Sequence, residues 1–183
     1  MNRGWGHRWW SRTRGLESEP YETWRATLAE VPGRQPRILA WAPSVDGGLV
    51  ILSPAVLSQH SAGDWQHTGW HEIERGGWNA ETGRLHWQTY AGRRGAVALA
   101  APGRLPAVFK ERVDASIVFE RFVPLTAGSD RGIVVNGRRN LSDEASSIGW
   151  HATLTRGVTW RTPGVRDFAA ETVAELRRAY DAG

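Results

Sequence analysis

Residues Gly69 to Tyr90 read GWHEIERGGWNAETGRLHWQTY, and the alternation of residue types within them decides the fold. Successive side chains of an extended chain point to opposite faces, so Leu85, Trp87 and Thr89 share one face while His86, Gln88 and Tyr90 share the other. Upstream, Trp70, Glu72 and Glu74 alternate with His71 and Ile73, and Asn79-Ala80-Glu81-Thr82-Gly83 is a cluster of turn formers. Two strands are expected, Gly69 to Arg75 and Arg84 to Tyr90.

Outward from this stretch the strand period persists. Ile38 to Ala42, Gly48 to Leu52, a weaker piece near Val56, and Gly95 to Ala100 are short apolar runs, separated by clusters such as Pro43-Ser44-Val45-Asp46-Gly47-Gly48. Turns recurring every ~8 to 12 residues leave no room for parallel crossovers, which favours a small antiparallel barrel or sandwich. Leu105 to Asp114 keeps helix spacing with Pro106 in its first turn. Branched and aromatic residues then restore strand character in Ser116 to Pro124, and Gly132 to Arg139 and Gly149 to Thr155 complete a three-stranded meander. Asn136-Gly137 also fits a tight hairpin turn, and the pattern leaves both readings open.

Two further helices flank these strands. Tyr21, Trp24, Leu28 and Val31 recur at spacings of three, four and three, with Ser18 as the expected cap and Pro32-Gly33 as the stop. Val165 to Tyr180 places Val165, Phe168, Ala169, Thr172, Val173, Leu176 and Tyr180 on one side, with Asp167 near its start and Arg177 and Arg178 near its end, as the helix dipole favours. The expected class is mainly β (α+β): an antiparallel barrel or sandwich with a short N-terminal helix, a middle helix and a C-terminal amphipathic helix. The layout is an arm over residues 1–15, a helical segment over 16–34, and one β domain over 35–183 that ends in the helix 165–180.

Composition removes several chemistries. The chain has 183 residues and no cysteine, which excludes disulfides, thiolate metal sites and thiol nucleophiles. Its most apolar stretch, Ala96 to Phe109, is interrupted by Pro102, Gly103, Arg104 and Pro106, far short of the ~20 apolar residues of a membrane-spanning helix. The basic start runs into GLESEPYE rather than an apolar segment, so no secretory leader is expected and the expected location is cytoplasmic. Arginine outnumbers lysine 22 to 1, a bias that a GC-rich genome explains without any nucleic-acid role.

The segments ILAWA (38–42), GGLVILSPAVLS (47–58), GWHEIERGGWNAETGRLHWQTY (69–90) and LPAVFKERVDASIVFERFVPL (105–125) together resemble the bacterial pleckstrin-homology-like domains of uncharacterised actinobacterial proteins. The resemblance implies a strongly bent antiparallel barrel closed by a helix and used for binding, with no catalytic signature. Members that bind phosphoinositides carry basic residues in the first hairpin loop. Here that loop is PSVDGG, with Asp46 and no base, so the resemblance does not carry that ligand over. Because one fold hosts many functions, the site must be argued from its own residues.

His67 and His71 have the spacing of a helical zinc pair, with Glu72 adjacent. On a strand, four residues span ~13 Å, too far for both imidazoles to reach one ion, so no metal or cofactor site is expected. His60, His67, His71, His86 and His151 are candidate bases, and Ser44, Ser53, Ser58, Ser146 and Ser147 candidate nucleophiles. None sits in a nucleophile-elbow motif, so a non-enzymatic chain is expected, with an enzyme of unrecognised class, its residues assembled only in space, as the alternative. Gly4-Trp5-Gly6 and Gly92-Arg93-Arg94-Gly95 lack the helix and lysine of a phosphate loop. Arg93-Arg94 and Arg138-Arg139 are expected at solvated strand ends. Trp41, Trp70, Trp78, Trp87, Trp150 and Trp160 are expected in or near the core, each indole nitrogen finding a partner at the edge.

The exception is the start, MNRGWGHRWWSRTR. It holds four arginines, no acid, and three of the eleven tryptophans, so the whole net charge of +4 resides there. Without an apolar periodic face it cannot build a core. Arg3, Trp5, Arg8, Trp9, Trp10, Arg12 and Arg14 are therefore the candidate contact residues. Three uses compete with a plain tail: ordering on a protein partner, lying at an anionic membrane surface, or gripping nucleic acid through charge and stacking. Four charges give modest lipid or nucleic-acid affinity at physiological salt, which favours the protein partner.

Overall fold

The computed structural model describes residues 14–28, 36–143 and 145–183, which divide into two compact units, Met1–Asp114 and Ala115–Gly183. The class is α+β and mainly β, with three antiparallel sheets and three helices among the described residues.

In the first unit, β1 (Ala40–Pro43), β2 (Leu49–Leu52), β3 (Val56–Ser61) and β4 (Asp64–Gly69) form one meander, and β5 (Ile73–Asn79), β6 (Arg84–Thr89) and β7 (Arg94–Ala98) form another. The sheets meet at one corner. Ser44 bridges Leu99, Val45 N–H donates to the Ala98 carbonyl at 2.9 Å, and Ala100 N–H donates to the Pro43 carbonyl at 2.9 Å. Helix α2 (Leu105–Ser116) follows, and its buried Phe109 meets the buried Trp70 edge-to-face at 5.9 Å.

Gly69 to Arg75 differs from expectation. A strand β4 precedes it, Trp70–Glu72 form a 3-10 turn, and β5 starts only at Ile73. The hairpin between β3 and β4 turns on Ala62 and Gly63, both with positive φ (53° and 89°), the geometry of a type I′ turn. Alanine in the first of these positions hides the turn, since Asn or Asp is its usual signal. With β4 in place, His67 sits on a strand and His71 in the 3-10 turn. Among the described residues no three metal-ligating side chains gather.

Helix α1 (Ser18–Ala26) lies over β1–β4. Its N-cap is Glu17 with no side-chain cap bond, so Ser18 is the first helical residue and not the cap. Tyr21 and Trp24 are buried with Leu16, Ile38 and Ile51, and Leu28, Trp41, Leu49 and Trp65 pack around them. The expected continuation to Val31 lies outside the described residues.

In the second unit, β8 (Ile117–Pro124), β9 (Gly132–Arg138) and β10 (Gly149–Leu154) form a sheet with β9 in the centre, and α3 (Val165–Asp181) packs on one face through Ala169 and Leu176 against Ile133 and Val135. Asn136-Gly137 is not a turn but lies inside β9, where Gly137 faces both Phe119 and Trp150. A Cβ on Gly137 would stand 3.0 Å from Phe119 Cβ. Glycine therefore makes room for the Phe119–Trp150 pair, whose rings lie 5.1 Å apart, and Tyr180 of α3 meets both edge-on. Arg138 is likewise not a solvated rim residue: it is 3% exposed, and Nη1 donates to Ser116 Oγ at 2.9 Å, while Arg139 is exposed.

Inward of β6, Trp87 is 7% exposed and lies against the backbone of its cross-strand partner Gly95. A Cβ at residue 95 would fall 2.2 Å from two indole carbons, closer than any side chain permits. Trp87→Ala is expected to cost about 3 to 5 kcal/mol in urea unfolding, the range for deleting a large buried aromatic; a change within error would remove Trp87 from the core.

Candidate functional site

Arg3, Trp5, Arg8, Trp9, Trp10 and Arg12 lie outside the described residues, and Arg14 is the one member of the set within them. Arg14 is exposed, has φ of 49°, and turns with Gly15 into the body, where Leu16 is buried. The Trp41 indole donates from Nε1 to the Arg14 carbonyl at 3.0 Å. Tyr21 Oη donates to the Pro36 carbonyl at 3.1 Å, tying α1 to the lead-in of β1. The chain thus enters the body through a pinned turn, although the arginine itself makes no contact that singles it out.

Among the candidate bases and nucleophiles, Ser58 of β3 contacts His67 of β4, a directly opposed pair. Trp24 Nε1–H donates to Ser58 Oγ at 2.9 Å, Ser58 Oγ lies 2.8 Å from His67 Nδ1, His67 Nε2 lies 3.0 Å from Thr27 Oγ1, and Thr27 Oγ1 donates to the Trp24 carbonyl at 2.7 Å. The Trp24 carbonyl can only accept, so the Thr27 hydroxyl proton goes to it and Thr27 Oγ1 in turn accepts from His67 Nε2–H. Ser58 gives its proton to Nδ1, and the imidazole is neutral with its proton on Nε2, directed at Thr27. Every member is satisfied and Ser58 is fully buried, so no substrate reaches its oxygen. The arrangement fastens α1 to the β3–β4 hairpin.

The remaining candidates are also engaged in structure or stand apart. Ser53 closes the β2–β3 turn, accepting from Val56 N–H at 3.0 Å and donating to the Val56 carbonyl at 3.0 Å. Ser44 donates to Asp46, which also accepts from Gly48 N–H at 3.4 Å, and these bonds hold the Asp46 carboxyl below its ordinary pKa. The first hairpin loop is therefore an ionised acid held by its own backbone. Ser146 donates to the Asp143 carbonyl at 2.8 Å, and Ser147 and His86 are exposed. Arg93 and Arg94 are exposed, as expected of a strand end. Trp70 follows expectation, its Nε1 donating to the Ser53 carbonyl at 3.1 Å, whereas Trp160 departs from it: it is 38% exposed and carries the Arg166 guanidinium 5.8 Å above its ring. Trp24, fully buried and bonded to Ser58, had been legible only as one apolar position of a helix stripe.

Comparison of the chain with family models, with curated proteins and with solved structures finds no match in any of the three.

Burial lowers the His67 pKa below its usual value of 6.5, with a hydrogen bond at Thr27 opposing. A histidine held neutral in the fold contributes stability that is present above the unfolded value, near pH 6.5, and lost as pH falls through the lower folded value. Urea unfolding between about pH 7.5 and 5 should therefore show a larger loss for the native chain than for His67→Gln; parallel losses would show that His67 is not the titrating group. Ser58→Ala should cost about 1 to 3 kcal/mol at neutral pH, because it leaves the buried Trp24 N–H without an acceptor.

Proposed function

We propose that this chain is a non-enzymatic binding module of the cytoplasm, pleckstrin-homology-like in its first unit, that engages a protein partner through the arm containing Arg3, Trp5, Arg8, Trp9, Trp10, Arg12 and Arg14. Support for the fold comes from the order of elements: four antiparallel strands, three antiparallel strands, then a helix packed on the second sheet, with β1 and β7 joined at the Ser44–Leu99 corner. No described helix is long and apolar enough to cross a membrane.

The observation that carries the arm reading is the pinned turn at Arg14. A segment of indoles and guanidinia that begins at a hydrogen-bonded, core-anchored residue is presented from a fixed origin, which lowers the ordering cost of engaging a partner. Tryptophan and arginine are also the side chains most enriched among residues that dominate protein interfaces. Ser58, fully buried and engaged by both Trp24 and His67, offers no open nucleophile, which supports a non-catalytic role for the Ser58–His67 pair.

Affinity purification from the native host with the full chain and with a chain lacking residues 1–13 tests this reading. A protein recovered only with the full chain, and retained in moderate salt, is the expected result. Recovery of nucleic acid or lipid that falls steeply with added salt would replace the protein partner by a polyanion. Identical recoveries from both chains would remove the arm from function. Changing Trp5, Trp9 and Trp10 together to Ala should abolish the same recovery while leaving the thermal midpoint within about 2 °C, as expected for residues outside a core.

A further inference from the structure

Where the two sheets of the first unit face each other, the usual apolar packing gives way at one end. Register aligns Ala42, Val50, Gln59 and Gln66 in one cross-strand row. Ala42 and Val50 are fully buried, yet the same face continues into two glutamines, one half-buried and one exposed. The neighbouring row runs from Leu52 through the buried Leu57 to Thr68. Opposite stand Trp87, Thr89, Arg93 and Gly95, and the two sets enclose a cleft of about 70 Å³. Polar residues on an inward face, without partners, mark places where packing has been set aside for another use.

The donors around this cleft are unspent. Gln59 and Gln66 are directly opposed across the strands, but neither carboxamide makes a hydrogen bond to a described residue, and the same holds for the Thr68 hydroxyl. Arg93 is the one charged side chain in the lining, and no carboxylate lines it. Its position is fixed twice. Its backbone N–H donates to Thr89 Oγ1 at 3.1 Å, and its Nη2 pairs with Glu72 Oε2 at 2.6 Å, which leaves further guanidinium donors unengaged. Leu57 and Trp87 supply apolar wall, and Trp87 is held there by its contact with the Gly95 backbone.

These features select a ligand chemistry. The lining offers many donors and one cation already shared with Glu72, so it suits a singly charged planar anion better than a dianion. A single water takes up ~10 to 15 Å³ of such space, so the cleft admits a group of a few heavy atoms. We propose that it binds a carboxylate on a short aliphatic stem, the carboxylate against Arg93 and the Gln59 and Gln66 amides, the stem against Leu57 and Trp87. Such a group comes either from a free short-chain acid or from a glutamate side chain on a peptide.

Nitrogen–proton correlation spectra of the full chain, covering backbone, glutamine side-chain, arginine Nε–H and indole signals, test the site. The probes are butyrate, the capped peptide acetyl-Gly-Glu-Gly-amide, butyramide and inorganic phosphate, at matched ionic strength. Saturable shifts confined to Gln59, Gln66, Thr68, Trp87 and Arg93 are expected with butyrate, with the peptide, or with both, and the tighter of the two names the source. Arg93→Gln and Gln66→Ala change exposed side chains and should fold normally; the first should weaken binding about tenfold or more, the effect of losing a charge-assisted hydrogen bond. Absence of saturable shifts with both carboxylates, equal shifts with butyramide or phosphate, or undiminished binding by Arg93→Gln would each overturn the proposal. The arm residues take no part in this site, so its failure leaves the arm reading standing.

Discussion

The contact between the Trp87 indole and the Gly95 backbone sets the geometry of the first unit. It exists because Trp87 and Gly95 are directly opposed in the β6–β7 ladder and because residue 95 has no side chain. The same register turns Leu85 and Thr89 inward with Trp87, and brings Val97 beside Leu85. One flat aromatic thus occupies the space of two residues, and the sheet edge beyond it opens into the cleft bounded by Gln59 and Gln66. A change of register by one residue would point the indole to solvent and place Gln88 inside, so the ladder has little freedom to slip.

The fastening of α1 illustrates how polar groups enter a core without penalty. The Trp24 indole and the Ser58 hydroxyl are fully buried and hydrogen-bonded, with His67 and the exposed Thr27 carrying the bonds outward, and a buried polar group costs little when its hydrogen bonds are complete. A serine beside a histidine is the chemistry of hydrolases, yet here the serine oxygen faces an indole rather than solvent. The pair holds helix to sheet, and the direction of its protons follows from the Trp24 carbonyl, which can only accept and so takes the Thr27 proton.

Much of this fold was legible in the sequence: alternation marks β6, the branched and aromatic run marks β8, β10 lies where the meander expects it, and α3 buries the stripe from Val165 to Leu176. What escaped depended on tertiary partners. Strand β4, DWQHTG, carries no apolar alternation, since its inward residues are Gln66 and Thr68 and its outward His67 is consumed by α1. The turn at Ala62 lacks the residue that would announce it, and Asn136-Gly137 imitates a turn that the Phe119–Trp150 pair forbids. The cleft was invisible for the same reason. Gln59 and Gln66 look like ordinary surface residues until register places them on the face of Ala42 and Val50, and Arg93 like one half of a basic pair until Thr89 and Glu72 orient it. The arm was conspicuous through composition alone, and of its candidate residues only Arg14 falls within the described structure.

The turn at Arg14 has a mechanical meaning. Tension applied along the first fourteen residues would not begin by peeling a strand from a sheet edge, where hydrogen bonds yield one at a time. It would fall first on the Trp41–Arg14 bond and then on Leu16, Tyr21 and Trp24, whose side chains share one apolar cluster with Ile38 and Ile51 and whose helix is fastened to β3 and β4. Such a load is shared by many contacts that must give way together, so the body behaves toward its arm as an anchor block rather than as a thread to be unravelled.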